Sequence, residues 1–560
     1  MDFKKMAVYQ IYPKSFKDSN GDGFGDLQGI ISKLDYIKKL GAGCIWLTPI
    51  YISPQRDNGY DVADYCAIDP RYGTMDDFDM LAEECKKRDI IIMLDMVFNH
   101  TSADHMWFKH ALAGDKKYRD YYIFKPSKDD GGPPTNWVSK FGGNAWEKVG
   151  DEYYLHLFDV SQPDVNWENP ELRREIYDIM DFWLAKGIRG FRFDVVNLIS
   201  KPEVYEDDHQ GDGRRFYTDG PKIHGYLKEL NAATFGKYKC VTVGEMSSTT
   251  IENCIKYSNP AENELSMTFN FHHLKVDYKD GDKWSDIDFD FAELKRLLHS
   301  WQKEMQAGDG WNAVFWCNHD QPRAVSRFGN DGEYRIESAK MLATAIHLMR
   351  GTPYIYQGEE IGMTNAYFES LTDYMDVESI NYTQILKKQG KAEGEILSIL
   401  AAKSRDNART PMQWNGEPAA GFSAGRPWLQ AAKNFDKINA EKALADENSI
   451  FYYYQMLINL RKTQDIIAYG SYTPLFEEHP GVFSYLREYE GKRLLVICNF
   501  YEYVQKLNIT PFAAAFLDAK VLISNYDAPQ CSQNILRLRP YEAMAVYVFC
   551  SLSDFLGCCI

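Results

Sequence analysis

Short apolar runs alternate with stretches of helical period along the first hundred residues. Residues 7–12 read as a strand, 27–40 as a helix, 44–47 as a second strand, 75–88 as a helix and 90–98 as a third strand rich in Ile and Val. Strand, helix, strand at this spacing predicts βα units around a parallel sheet. The rhythm stops between His100 and about Asp164, where Gly131-Gly132-Pro133-Pro134 and Gly142-Gly143 mark a long turn-rich insertion. A structureless loop of that length is rare, so 101–164 is expected to be an inserted lid domain.

The alternation returns with a helix at 170–186 and a strand at 190–195. A helix at 220–235 and a strand ending at Glu245 follow, then a strand at 267–271, a helix at 291–305 and a strand at 311–317. A helix at 336–349 and a strand at 354–356 bring the strands to eight, the number that closes a parallel barrel. Residues 364–445 form a second excursion, and a helix at 449–461 closes the barrel. From Tyr469 the texture changes to short alternating runs (482–485, 494–499, 543–549), which predict an antiparallel sandwich. The expected architecture is an α/β (β/α)8 TIM barrel (1–100 and 165–468) with the lid, the excursion and a C-terminal β-sandwich over 469–560.

Composition narrows the function. Of 560 residues, 45% are apolar and 26% charged, as in a folded chain. The net charge of −17 argues against a nucleic-acid partner, which needs concentrated Lys and Arg. Any anionic ligand must therefore meet a local basic pocket. Met1-Asp2-Phe3-Lys4-Lys5-Met6 is no signal peptide and no long apolar span follows, so a cytoplasmic protein without membrane contact is expected, as a monomer or weak homo-oligomer. Eleven scattered cysteines fit reduced thiols rather than a disulfide framework, and Cys558 and Cys559 form no prenylation box. The 14% aromatic content suits stacking on sugar rings, though aromatics fill cores more often.

The candidate chemistry lies at strand ends. In Gly190-Phe191-Arg192-Phe193-Asp194-Val195-Val196, period-two alternation puts Arg192 and Asp194 on one side of a strand. A structural ion pair is the competing reading. Three other strand-like runs also end on acids or histidines: 94–100 with Asp95 and His100, 241–245 with Glu245, and 315–320 with His319 and Asp320. A parallel barrel gathers such positions at the C-terminal face of its strands. Near the N-terminus, Asp18, Asn20, Asp22, the Phe24 carbonyl and Asp26 have the spacing of a calcium loop; a metal-free Asx-turn is the alternative. Three acids this close repel without a cation, so a structural Ca2+ or Mg2+ is expected, with no organic cofactor.

Asp194, Glu245 and Asp320 meet the carboxylate requirement of glycoside hydrolysis. The runs at 95–100, 190–194, 244–245 and 318–320 resemble, in order, the four best-known regions of the α-amylase superfamily of (β/α)8 glycosidases. Gln162-Pro163-Asp164-Val165-Asn166-Trp167 resembles the variant of its oligo-1,6-glucosidase branch. The resemblance spans residues 8 to about 430. It implies Asp194 as nucleophile, Glu245 as general acid/base in less polar surroundings, and Asp320 as stabiliser of the oxocarbenium-like transition state. Arg192 would keep Asp194 ionised, and His100 and His319 would donate to glucose hydroxyls. Asp57 and Arg409, with Tyr60 as a stacking platform, resemble the wall that seals the terminal-glucose pocket of exo-acting members. A rim salt bridge or a satisfied core histidine is the bland alternative for each of these.

Substrate choice rests on finer likeness. Val195 is similar to the residue type of members acting on α-1,6 or α-1,1 links, and the runs at 214–221 and 271–278 look closest to the trehalose-6-phosphate hydrolases of the branch. A sugar phosphate needs cationic donors. His272, His273, Lys275, Lys279 and Lys283 follow the sixth strand, and Lys275 is the strongest candidate. The expected substrate is α,α-trehalose 6-phosphate, with isomaltose-type oligosaccharides as the alternative.

Overall fold

Residues 2–510 and 520–548 are described in the computed structural model. Eight parallel strands form the central sheet: β1 (Val8–Ile11), β2 (Cys44–Leu47), β3 (Ile91–Met96), β4 (Gly190–Phe193), β5 (Val241–Glu245), β6 (Met267–Phe269), β7 (Ala313–Val314) and β8 (Thr352–Tyr356). Their hydrogen-bonded order is β6-β5-β4-β3-β2-β1-β8-β7. A parallel bridge between Thr268 and Asn312 closes the ring. Residues in β1, β2 and β4 are buried throughout, as strands covered by barrel core inside and helices outside require. Gly190 is needed where β4 meets β3, since a Cβ there would sit 2.8 Å from the Met93 Cα.

Three helices show how the sequence closes the outer layer. Met75–Lys87 begins with a capping box between Thr74 and Asp77 and buries Phe78, Leu81 and Cys85. Pro170–Ala185 begins at the Asn169 cap with Pro170 in the first turn and buries Ile176, Met180 and Trp183. Phe291–Ala307 is capped by Asp290.

The predicted helix at 27–40 is two helices, Leu27–Ser32 and Leu34–Leu40, with Lys33 at φ −113° and ψ 4° between them. Ile30 before the break and Leu34 after it are both buried, as i and i+4 positions of one helical face would be. The seventh strand is shorter than the predicted 311–317. The Trp311 N–H donates to the Ser258 hydroxyl while its carbonyl still accepts from Thr268, and the Phe315 ring packs edge-on against Phe269.

The 101–164 segment carries helices Met106–Leu112 and Lys116–Arg119 and a small sheet of Phe124–Pro126, Glu152–Leu155 and Trp146–Val149. The excursion at 364–445 has its own apolar cluster, including Phe368, Leu386, Ile396 and Leu400. At the C-terminus a five-stranded antiparallel sheet faces a three-stranded one across Val482, Leu495, Ile497, Leu507, Leu536 and Val546. The other side of the larger sheet, with Phe483, Tyr485 and Val496, joins the barrel core. The last described strand is Ala543–Tyr547; the predicted extension to Phe549, and Cys558 and Cys559, lie outside the described residues. Among the described residues, no helix is long and apolar enough to cross a membrane.

Candidate active site

The C-terminal ends of β3, β4 and β5 meet on one guanidinium. Arg192 Nη1 donates to Asp95 at 2.5 Å and to Asp194 at 2.7 Å, while its Nη2 bonds to Glu245. Although burial works against the charge of Arg192, the surrounding carboxylates raise its pKa and hold it cationic. Burial, eased by Arg192 and reinforced by the neighbouring Asp194, pushes the Asp95 carboxyl up. Asp95 also accepts from the Tyr60 hydroxyl at 2.9 Å and the Trp46 indole at 3.2 Å. Directly after Asp194, Val195 turns the chain at φ 33°, a strained conformation for a β-branched residue. The Asp194 N–H still donates to the Met96 carbonyl at 3.0 Å, so the ladder ends at this turn with the Asp194 carboxylate lining the cleft.

Asp320 enters from the segment after β7. Its carboxylate meets Arg409 at 2.7 Å, Arg405 at 3.3 Å and His319 at 3.1 Å. Burial opposes its ionisation, but His319 and the two arginines outweigh it and hold the carboxyl well below the usual range. His319 Nδ1 is paired with the Gln10 amide at 2.8 Å, and its ring stacks on Tyr60 with centroids 5.2 Å apart. Burial lowers the pKa of both His319 and His100, favouring neutral imidazoles.

Asp194, Glu245, Asp320, Asp57, Tyr60 and His100 line one cleft of about 290 Å3, the size of a small sugar site. Arg192, His319 and Arg409 sit immediately behind it, at 1%, 0% and 1% exposure. His100 is already engaged on both ring nitrogens, with Asn99 at 3.3 Å and the Tyr60 carbonyl at 3.1 Å. Glu245, expected in less polar surroundings than Asp194, instead shares the same cation.

Two expectations are corrected. The partner of Asp57 across the wall is Arg405, at 3.4 Å, rather than Arg409. Asp406–Arg409 is a single helical turn, so Arg405 and Arg409 lie on one side, and both bind Asp376, at 2.7 and 2.9 Å. Arg409 is drawn beneath Asp320 by donating to the His319 carbonyl at 3.0 Å. That leaves Arg405 to reach Asp57. Burial, opposed by Arg405 and Arg409, pushes Asp57 up to about 7.

His272 and His273 do not reach the cleft. The short 3-10 turn His272–Leu274 directs them to the outer side of the barrel, where His272 packs on Trp301 and His273 Nε2 donates to the Phe315 carbonyl at 2.9 Å. Lys275, one residue after the turn, does line the cleft and has no carboxylate partner among the described residues. Lys283 also lines it but pairs with Glu378 at 2.6 Å.

Sequence reasoning passed over Arg405, Asp376 and Lys140, and named Gln162 only within the family-like run at 162–167. Gln162 donates to Asp57 at 3.1 Å, tying the lid to the wall. A second arginine four residues before Arg409 was the available signal for Arg405.

In the 18–26 loop, Asp18 accepts from the amides of Asn20, Gly21 and Gly23, Asn20 from Asp22, and Asp22 from Phe24. Asp26 caps the helix behind it through Gly29. Among the described residues no group of three or more His, Cys, Asp or Glu side chains is gathered as a ligand set.

Comparison with known proteins places this geometry. Residues 10–470 match the alpha amylase catalytic domain, and 482–544 the alpha-amylase SusG C-terminal domain. The chain is 55% identical to a trehalose-6-phosphate hydrolase of Bacillus subtilis, covering 97% of each chain. It is 49% identical to an oligo-1,6-glucosidase of Parageobacillus thermoglucosidasius over 97% of this chain and 98% of the other. A crystal structure of Bacillus licheniformis trehalose-6-phosphate hydrolase superposes with a TM-score of 0.94 at 56% identity, covering 98% of this chain and 99% of that one.

Proposed function

The chain belongs to the alpha-amylase family, and from that premise we infer that it hydrolyses α,α-trehalose 6-phosphate to glucose and glucose 6-phosphate. The observation that carries the substrate is Lys275, a cation that faces the cleft without a carboxylate partner among the described residues, in a chain whose net charge is −17. A neutral disaccharide can only accept hydrogen bonds from such a group, whereas a phosphate ester also supplies the opposite charge.

The reaction is a double displacement with retention. Asp194, ion-paired with Arg192 at 2.7 Å, attacks the anomeric carbon of the terminal glucose. Glu245 protonates the bridging oxygen, and glucose 6-phosphate departs. Glu245 then takes a proton from water, which cleaves the glycosyl ester on Asp194 and releases glucose. Glu245 is bonded to Arg192 Nη2 in this structure, so its carboxyl turns from the guanidinium to reach the bridging oxygen. Asp320, kept anionic by His319 and the arginines, stabilises developing positive charge and grips sugar hydroxyls. Asp57 and Arg405 close the far end, which limits the site to a non-reducing terminal unit.

Glucose release from trehalose 6-phosphate, trehalose and isomaltose, measured side by side, tests this reading. A clear preference for the phosphate ester is expected. Equal or greater kcat/KM on isomaltose would favour the oligo-1,6-glucosidase activity of the other relatives.

The loop of Asp18, Asn20, Asp22, the Phe24 carbonyl and Asp26 is proposed to hold a structural Ca2+ or Mg2+, since its all-oxygen donor set suits a hard cation. Asp18 already bonds Ser423 at 2.5 Å, so the ion would fasten the N-terminal loop to the excursion. A thermal midpoint unmoved by chelation and by added calcium would remove the ion from the account. A cytoplasmic location is supported by the chemistry of a phosphorylated sugar, which does not cross a bilayer unaided; cell fractionation checks it.

A further inference from the structure

Lys140 belongs to the lid, not to the barrel, yet it lines the catalytic cleft. Its Nζ donates to Ser247 Oγ at 3.2 Å, two residues beyond Glu245. No carboxylate pairs with it among the described residues. Lys275 lines the same cleft, and Arg214 adds a third positive charge felt by both lysines, with its own partner Asp212 bound at 2.5 Å. Burial, helped by Arg214, already pushes the Lys140 ammonium down to about 8, the direction expected of a cation short of a counter-charge. Lys140 and Lys275, from separate segments, thus face one opening without a direct carboxylate partner among the described residues, Asp212 and Asp164 attracting Lys140 only from beyond ion-pair distance. Such a pair is costly unless an anion arrives to satisfy it.

We propose that Lys140 is a second ligand of the substrate phosphate, gripping it together with Lys275 so that the lid and the barrel are joined through the phosphate group. This rests on the phosphate-ester reading above. Lys140 also bonds Ser247, so phosphate capture is linked to the segment that carries Glu245. A neutral glucoside gains neither contact.

Lys140→Met and Lys140→Arg, measured against trehalose 6-phosphate and a neutral aryl α-glucoside, with glucose 6-phosphate as product inhibitor, test the assignment. Lys140→Met is expected to raise KM for the phosphate ester and Ki for glucose 6-phosphate by about 10- to 100-fold, the span of a lost charge-assisted bond. KM for the neutral glucoside should stay within about twofold, and Lys140→Arg should recover most of the loss. Unchanged KM and Ki would overturn the proposal, as would an equal loss on both substrates with a lowered thermal midpoint, which is the mark of a packing role. If the unmodified enzyme shows no preference for the phosphate ester, the phosphate-ester reading fails instead.

Discussion

Arg192 and Asp194, two residues apart on one strand, meet at 2.7 Å through the same nitrogen that holds Asp95 at 2.5 Å. The alternation of a strand brings the two side chains to one face, and the left-handed turn at Val195 leaves the carboxylate at the cleft. Asp194→Asn keeps the hydrogen-bonding shape but removes the nucleophilic oxygen. It is expected to lower kcat by about 1,000-fold or more with an unchanged circular dichroism spectrum. Near-normal turnover would remove Asp194 from the mechanism.

Arg405 is the hub of the wall, in contact with Asp57, Asp320 and Asp376. Arg405→Ala should raise KM for every substrate by about 10- to 100-fold and lower stability by about 2–4 kcal/mol, because Asp376 stays buried with fewer donors. Arg405→Lys should rescue little, since a point charge cannot reproduce a planar fork that serves four acids, Glu378 included at 3.5 Å. A KM effect confined to one substrate would contradict this role. Kinetics on two substrates and urea unfolding provide the check.

What the sequence disclosed, and what it hid, follows from range. The barrel and the four acid-bearing strand ends were legible because period-two burial and turn residues are local signals. The Asp57 partner was not, because either Arg405 or Arg409 could reach it until the helical turn and the His319 carbonyl fixed which one does. His272 and His273 misled for a similar reason: a three-residue 3-10 turn rotates them away from the cleft and leaves Lys275 in it. Lys140 carried no signal in its own segment. Its meaning depends on Ser247, more than a hundred residues away.

Lys275→Ala separates phosphate recognition from catalysis. KM for trehalose 6-phosphate should rise by about 10- to 100-fold while kcat and the rate on isomaltose change little. The asymmetry is the point, because loss of packing would weaken both substrates alike. Initial-rate kinetics on the two substrates measure it, and equal effects would count against a phosphate contact at this lysine.

Glu359 offers a test by pH away from the cleft. Its carboxyl is fully enclosed, accepts from the Tyr454 hydroxyl at 2.8 Å and lies beside Glu360; burial pushes it up to about 7 from an ordinary 4.5. The folded state therefore binds this proton more tightly than the unfolded chain does. The stability contributed is fully present below about pH 4.5 and is lost as pH rises through about 7, amounting to roughly 3 kcal/mol at most. Glu359→Gln keeps an oxygen for Tyr454 and removes the titration. Relative to the unmodified protein, the variant should gain stability between pH 5 and pH 8, read as a rising difference in thermal midpoint. Any fixed cost of the new amide is the same at both pH values, so only the change in that difference is diagnostic. A difference that stays flat across this range would mean that Glu359 is not held protonated by its burial.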